Sequence, residues 1–160
     1  MNKGLCLDIE RCTGCKMCEL ACSMKHHNEY NPKKSRIRVH TFYEQAYSVP
    51  VVCYQCDDAW CEKICPSGAI VLNVEKEKGV KMLQVLDDKC VGCKMCMLAC
   101  PFGNISFYED GKANKCDLCG GDPECVRFCA RGALKFKDIE DGVAQKSKST
   151  AAKILAATQK

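Results

Sequence analysis

CYQCDDAWCEKICP at residues 53–66 and CVGCKMCMLACP at residues 90–101 are the two runs of sequence that decide the fold. The first has the spacing C-x2-C-x4-C-x3-C-P and the second C-x2-C-x2-C-x3-C-P, with 24 residues between Cys65 and Cys90. Each run therefore offers three closely spaced thiols and a fourth thiol that precedes a proline.

This spacing is typical of bacterial two-cluster ferredoxins, in which the cysteine before the proline ligates the other [4Fe-4S] cluster. The rule predicts one cluster on Cys53, Cys56, Cys61 and Cys100. It predicts a second cluster on Cys90, Cys93, Cys96 and Cys65. Because each cluster would bind both runs, the two clusters would hold the two halves of this region together.

Two further cysteine runs flank this centre, at residues 12–22 and 116–129. CTGCKMCELAC at 12–22 differs from CVGCKMCMLAC at 90–100 at two of eleven positions, and the run at 116–129 has the looser spacing C-x2-C-x5-C-x3-C. Sixteen of the 17 cysteines fall into the four runs. The sequence therefore predicts four [4Fe-4S] clusters, with iron bound through these sixteen cysteines.

The first and third runs have the tight spacing C-x2-C-x2-C-x3-C, and the second and fourth runs have looser spacings. The central pair therefore joins a loose run to a tight one. By the same rule the outer runs pair with each other and predict a third cluster on Cys12, Cys15, Cys18 and Cys129. The fourth cluster would lie on Cys116, Cys119, Cys125 and Cys22. One ferredoxin module would then enclose another in the sequence. Pairing of neighbouring runs stays open as an alternative, although only the inner pair keeps both cysteine-proline dipeptides.

Zinc is the alternative metal, because C-x2-C pairs also form zinc sites. Zinc sites are usually built from two separated pairs, whereas every run here contains four cysteines, which favours iron-sulfur clusters. The first ten residues lack an apolar core of signal-peptide length, so we expect reduced thiols in the cytoplasm. No apolar run approaches the roughly 20 residues of a membrane span, so we expect no membrane insertion.

The formal charge of +4 describes the chain without clusters. Four thiolates around an oxidised cluster core add about −2 per site, so the loaded chain would be acidic. The basic composition is therefore no argument for nucleic-acid binding.

Short strands and helices between the runs predict an α+β fold. Period-two alternation and turn residues predict strands at 3–9, 37–43, 104–109 and 133–137 and a hairpin at 68–86. Residues 15–25 are good helix formers. We place a four-cluster domain at 1–137, made of an inner module at about 50–110 and an outer module at about 1–49 plus 111–137.

Residues 138–160 contain no cysteine and predict a linker followed by a C-terminal helix at 143–158. Ile154 and Leu155 lie at the centre of its narrow apolar stripe. We therefore expect this helix to contact a partner protein and to support higher-order assembly.

Six other residues also carry specific expectations. We expect Cys6, the cysteine outside the four runs, to be a small buried hydrophobe, and Trp60 to cover a cluster or fill the core. His26 is not expected to ligate a cluster, and neither is His27, because the cysteines complete four sets. Arg36 and Arg38 lie on one face of the strand predicted at 37–43, either as contacts for an acidic partner or as an ordinary solvated face.

All four runs, in this order and with these spacings, resemble the four-cluster iron-sulfur subunits of molybdenum and tungsten oxidoreductases over residues 5–137. That family includes the small subunits of formate dehydrogenase, nitrate reductase and dimethyl sulfoxide reductase. The resemblance implies the nested ligation, which is usual there. CSMKHHNEYNPKKSRIRV at 22–39 and the short chain look most like the small subunit of tungsten aldehyde oxidoreductases.

The resemblance implies a non-catalytic subunit that relays single electrons. They would pass between a pterin-bound tungsten or molybdenum centre in a catalytic partner and an acceptor such as a ferredoxin or a flavin- or NAD-linked subunit. The residues agree, since no nucleophile with a base and no open metal motif stands out. The alternatives are a subunit of a tungsten benzoyl-CoA reductase or of a formate dehydrogenase- or hydrogenase-type complex, a free polyferredoxin, and a protein that donates clusters during maturation.

Overall fold

The computed structural model describes residues 3–108, 110–140 and 151. Short helices lie between short strands, and the described strand pairs are antiparallel, which agrees with the predicted α+β fold. In chain order they are β1 (Lys3–Leu7), α1 (Met17–His27), β2 (Arg38–Phe42), β3 (Tyr47–Val51), α2 (Trp60–Lys63), β4 (Ile70–Glu75), β5 (Val80–Val85), α3 (Met95–Ala99), β6 (Ser106–Phe107), β7 (Ala113–Asn114), α4 (Glu124–Arg127) and β8 (Leu134–Asp138). Short 3-10 turns lie at Ile9–Arg11, Pro32–Lys34 and Leu118–Gly120.

The described strands form four antiparallel pairs, β1 with β8, β2 with β3, β4 with β5, and β6 with β7. In the β1–β8 pair, Leu5 lies opposite Phe136. In the β4–β5 hairpin, Ile70 lies opposite Val85. Because β1 and β8 are neighbours, the first and last strands of the described chain meet and the inner runs lie between them in sequence.

The predicted strands at 3–9 and 133–137 and the predicted hairpin are confirmed, with ends shifted by a few residues. The strand expected at 104–109 is only two residues long, and β3 and the short helices α2, α3 and α4 were not predicted. Helices of four or five residues are too short to show a 3.6-residue periodicity.

Helices α1 and α3 begin in the same way. Each follows a lysine with a left-handed backbone, Lys16 with φ 59° and Lys94 with φ 64°. Both lysines belong to identical CKMC segments. The near-copied sequence of the two runs is therefore matched by a copied local backbone.

The buried core is built directly on the cysteines. One cluster of buried side chains combines Ile37, Val39, Val52 and Leu134 with three cysteines, and the cysteines are Cys18, Cys22 and Cys125. A second combines residues of β4, β5 and β7 with Cys96. The apolar walls that protect the core thus also surround the thiols.

The insertion after the first run folds onto α1. The carboxylate of Glu19 on α1 accepts a hydrogen bond of 2.6 Å from the backbone N–H of Val39 on β2. Ser23 Oγ accepts one of 3.1 Å from the N–H of Asn31. Ile37 and Val39, two residues apart in this extended segment, are both buried.

Cys6 is only partly buried, so the prediction that it is a buried hydrophobe is wrong. Its neighbours Leu5 and Leu7 pack against the core. Successive side chains of a strand point to opposite faces, which turns Cys6 away from that core.

The predicted helix at 143–158, with Ile154 and Leu155, lies outside the described residues. Within the described part of the chain, no helix is long and apolar enough to cross a membrane.

Candidate iron-sulfur sites

The first candidate site is a cavity in the inner part of the chain. Trp60, Phe102 and Ile105 contribute to its apolar wall, and Lys115 also lines it. Its thiols form the Cys53 set, namely Cys53, Cys56, Cys61 and Cys100. These are the four cysteines that the spacing rule assigns to one cluster.

The second candidate site is a neighbouring cavity, with Ile70, Val85 and Phe107 in its apolar wall. Its thiols form the Cys90 set, namely Cys90, Cys93, Cys96 and Cys65. In both cavities three cysteines of one run therefore lie with the last cysteine of the other run. This exchange is the arrangement of a two-cluster ferredoxin.

The outer runs also approach each other. Burial is the main cause that raises the pKa of the Cys119 thiol to about 11, and repulsion from the Cys22 thiolate adds to it. Burial, then repulsion from Cys116 and Cys22, raises the pKa of Cys125 far above its ordinary value. Cys22 and Cys125 also belong to the same cluster of buried side chains. Cys22 therefore lies with the fourth run, and the four residues together are the Cys116 set (Cys116, Cys119, Cys125 and Cys22).

The remaining thiols form the Cys12 set (Cys12, Cys15, Cys18 and Cys129). Burial, followed by repulsion from Glu19 and Cys15, raises the pKa of the Cys18 thiol to about 12. Cys12 and Cys129 pack against the core cluster that contains Cys18. The first and fourth runs thus meet around this core cluster.

Backbone N–H groups donate to the sulfur atoms of the last cysteine in three runs. Cys65 Sγ accepts from Ala69 over 3.3 Å and Cys100 Sγ accepts from Asn104 over 3.4 Å, in each case four residues further on. Cys22 Sγ accepts from Arg36 over 3.3 Å. Such bonds stabilise negative charge on sulfur, as a thiolate ligand requires.

Cys65 shows the effect on the thiol itself. Burial acts to raise its pKa, but hydrogen bonds from Ser67 and from the N–H groups of Ala69 and Ile70 outweigh burial and lower the pKa. In the more buried thiols burial prevails and the pKa is raised. A positively charged metal core is therefore needed to deprotonate those thiols together.

The donor sets fit the group that the spacing implies. Each set offers four sulfur ligands, and the Cys53, Cys90 and Cys116 sets also receive backbone N–H donors. Sulfur ligands, apolar walls and such donors are the features that hold and tune a [4Fe-4S] cluster. Four sulfur ligands alone also suit zinc. The exchange of the last cysteine between runs is the feature specific to paired clusters.

His26 lies beside a ligand cysteine, which the sequence did not predict. Its Nε2 lies 3.5 Å from Cys119 Sγ and 3.5 Å from Asp117 Oδ1. Burial, then the positive charge of Arg36, lowers its pKa to about 4, so the ring is neutral in the chain described here. His27 instead packs its ring edge-on against Tyr108, with centroids 5.0 Å apart.

The guanidinium groups of Arg36 and Arg38 are engaged within the chain. Arg36 donates to Asn114 Oδ1 over 2.8 Å and forms an ion pair of 2.9 Å with Asp117. Arg38 donates to the carbonyl oxygens of two residues of the insertion, Pro32 and Lys33. Only Arg38 lies in β2, and a partner contact through either arginine stays a prediction.

Trp60 lies at the wall of the first cavity and is 60% exposed. Tyr54 and Phe102 line the same cavity, with ring centroids 4.7 Å apart. Trp60 therefore does not fill the core. Its position fits the alternative expectation that it covers a cluster from solvent.

Comparisons with known proteins agree with this geometry. Two family models, both described as 4Fe-4S dicluster domain, match residues 52–104 and 11–70. The electron transport protein HydN of Escherichia coli strain K12 is 32% identical, with 94% of this chain and 98% of HydN covered. The chain belongs to the 4Fe-4S dicluster family. Like its relatives in this family it is a non-catalytic, electron-transferring iron-sulfur protein.

Other members of the 4Fe-4S dicluster family, and one solved structure, are also similar. The polyferredoxin-like subunit of the aliphatic sulfonate oxidoreductase of Pyrococcus furiosus is 39% identical, with 75% of this chain and 67% of that subunit covered. The active-site complex BamBC of benzoyl coenzyme A reductase contains a chain that is 27% identical, with a TM-score of 0.49 over 98% of this chain and 95% of that one.

Proposed function

We propose that this chain relays single electrons through four [4Fe-4S] clusters as the small subunit of a tungsten or molybdenum oxidoreductase. Each of the four cysteine sets would hold one cluster, and a bound cluster supplies one-electron oxidation and reduction. The inner module would contain the Cys53 and Cys90 sets and the outer module the Cys12 and Cys116 sets. The observation that carries the proposal is the exchange of Cys65 and Cys100 between the two cavities.

The nested arrangement of the outer module is supported by Cys22. Its thiol lies with the fourth run, 94 residues from Cys116, and contributes to the raised pKa of Cys119 and Cys125. Pairing of neighbouring runs would instead bring Cys22 to the second run. The meeting of β1 and β8 also supports an outer module that closes around the inner one.

The thiols also support an order of the sets along the relay. Cys18 of the Cys12 set lies in one cluster of buried side chains with Cys22 and Cys125 of the Cys116 set. Lys115, which directly precedes Cys116, places its Nζ 3.5 Å from the Sγ of Cys53. Cys61 of the Cys53 set and Cys96 of the Cys90 set belong to the second core cluster. The order that follows is the Cys12, Cys116, Cys53 and Cys90 sets.

The ends of this order are open to solvent. Cys15 in the Cys12 set and Cys93 in the Cys90 set are exposed, and so is Cys56 in the Cys53 set. In the proposed relay, electrons would enter at one end of the order and leave at the other. One end would meet the catalytic partner and the other the acceptor, a ferredoxin or a flavin- or NAD-linked subunit.

The sequence at 22–39 favours a pterin-tungsten aldehyde oxidoreductase as the catalytic partner, in the cytoplasm. The similar Pyrococcus furiosus protein is a subunit of an oxidoreductase, which supports a dedicated partner over a free polyferredoxin. In this assignment the partner would oxidise an aldehyde to an acid and release two electrons, which this chain would accept one at a time.

The test is anaerobic purification of the tagged chain from its native cells. We expect a larger pterin-containing chain to co-purify in fixed ratio with tungsten or molybdenum, and an aldehyde to bleach the iron-sulfur absorption of the complex. The matched control is Cys93→Ser, which leaves the rest of the chain unchanged but removes one predicted ligand of the Cys90 set, at one end of the relay. Recovery of this chain alone would contradict the subunit role and favour a free polyferredoxin.

A further inference from the structure

Lys115 is a buried lysine at the junction between the inner and outer cysteine runs. Only 2% of the residue is exposed. It directly precedes Cys116, and its Nζ lies 3.5 Å from the Sγ of Cys53. The side chain thus reaches from the Cys116 set to the Cys53 set, which are the two middle sets of the relay order.

Hydrogen-bond acceptors surround the Nζ of Lys115. The carbonyl oxygen of Leu83 lies at 2.9 Å, and the carbonyl oxygen of Cys116 lies at 3.2 Å. Gln55 Oε1 lies at 3.2 Å, and Cys53 Sγ completes the group. An ammonium has three donors and no acceptor, so this surrounding fits the charged form.

Gln55 fixes the position of that charge. Its Nε2 donates to the carbonyl oxygen of Cys116 over 2.7 Å, which orients the Oε1 towards Lys115. The Oε1 also accepts a hydrogen bond of 2.8 Å from the N–H of Leu83 on β5. Gln55 lies between Cys53 and Cys56 in the second run. Its side-chain amide therefore connects the second run to Leu83 on β5 and to Cys116 in the fourth run.

A buried charge is costly unless a counter-charge lies close to it. No carboxylate within the described ranges forms a salt bridge with Lys115. The negative groups within reach are the cysteine sulfurs. Lys115 also lines the cavity of the Cys53 set together with Cys61, so its charge lies beside more than one sulfur of that set.

On the basis of the proposed function, we propose that Lys115 is a fixed positive charge that favours the reduced state of the cluster held by the Cys53 set. The added electron makes the cluster more negative, and a cation beside a ligand sulfur stabilises that charge. Lys115 would thereby set how readily an electron passes from one module to the other. It is a positioning residue that acts through Cys53 and is not a ligand.

The test is a potentiometric titration of the holoprotein followed by paramagnetic resonance. Lys115→Met should keep the iron content but move the midpoint of one cluster to a more negative potential. At the wild-type midpoint, the ratio of reduced to oxidised cluster should fall by about tenfold or more. Cys56→Ser should disturb the same spectral component, which identifies it as the cluster of the Cys53 set.

Two control variants separate charge from shape. Lys115→Arg keeps the positive charge and should stay near the wild-type midpoint. Lys81→Met removes an exposed lysine from the same strand as Leu83 and should leave every midpoint unchanged. A Lys115→Met protein with full iron and wild-type midpoints would overturn the proposal, as would an equal shift in Lys115→Met and Lys115→Arg.

A measurement on the unaltered protein covers the case in which Lys115→Met loses iron. Lysine labelled with ¹⁵N only at Nζ should produce a nitrogen coupling in pulsed paramagnetic resonance of the reduced cluster of the Cys53 set. Absence of that coupling would overturn the proposal. Fewer than four clusters in the wild-type protein would instead contradict the proposed relay, so the two failures are distinguishable.

Discussion

The backbone N–H of Arg36 donates to the Sγ of Cys22 over 3.3 Å, although the two residues are 14 positions apart. In the inner runs the equivalent bonds come from Ala69 and Asn104, only four positions after the cysteine. The segment inserted after Cys22 therefore folds back onto the first run, so that the N–H of Arg36 donates the same type of hydrogen bond to the Sγ of Cys22. The insertion is thus part of a candidate cluster site and not a peripheral loop.

The side chain of Arg36 is expected to stabilise the folded-back position of this insertion. Because its guanidinium joins Asp117 and Asn114, Arg36→Met should lower the free energy of unfolding by about 1–3 kcal/mol. The measurement is the midpoint of unfolding by guanidinium chloride under anaerobic conditions. Arg131→Met is the control, since Arg131 is exposed and forms no salt bridge with any described residue. An unchanged midpoint with weakened binding to the catalytic partner would instead support the docking role of Arg36.

Cys22 should belong to the cluster of the fourth run. If so, Cys22→Ser and Cys119→Ser should shift the same spectral component in paramagnetic resonance of the reduced protein, because both change ligands of one cluster. Cys53→Ser should shift a different component. A shared effect of Cys22→Ser and Cys53→Ser would show that neighbouring runs pair and that the modules are not nested.

Cysteine spacing predicts four sets because the ligands of a cluster follow a local sequence pattern, and the two cavities bring together the residues predicted for the inner pair. The hairpin of β4 and β5 was also predicted, since charged turn residues separate two alternating runs. Lys115 could not be predicted in the same way, because lysine is usually exposed and its burial depends on Gln55 and Leu83, which are distant in sequence. The position of His26 beside Cys119 also escapes prediction, because nothing near it in the sequence indicates that α1 brings the two residues together.

Cys6 was misassigned for a different physical reason. Cysteine is among the most buried residue types, and this favoured a core position. Side chains alternate between the two faces of a strand. Leu5 and Leu7 lie on the core face of β1, so Cys6 lies on the other face. A comparison of Cys6 with these two neighbours would have predicted the observed face.

Cys6 should be the cysteine of the holoprotein that reacts with alkylating reagents. It is partly exposed and lies outside all four sets, whereas ligand sulfurs bound to iron are protected. Mass spectrometry after anaerobic treatment with iodoacetamide should show one adduct, on Cys6. Cys6→Ser should give none, and adducts on members of a set would show that this set holds no cluster.

Trp60 should protect the cluster of the Cys53 set from solvent. The exposed ring lies against that cavity, so Trp60→Ala should speed the loss of one cluster in air by roughly twofold or more, because the apolar shell controls solvent access. Trp60→Phe should behave like the wild type. Tyr43→Ala removes an aromatic ring that is 85% exposed and serves as the control; a similar acceleration there would assign the effect to general destabilisation.

The number of clusters per chain can be measured by iron and acid-labile sulfide analysis of the anaerobically reconstituted protein. Because four complete sets of cysteines are present, we expect about sixteen iron and about sixteen sulfide per chain, with negligible zinc. Variants that lack one ligand, such as Cys56→Ser, should show how far the iron and sulfide contents fall when a single cluster is lost. Iron for two clusters or fewer in a folded chain, or zinc in place of iron, would contradict the four-cluster relay.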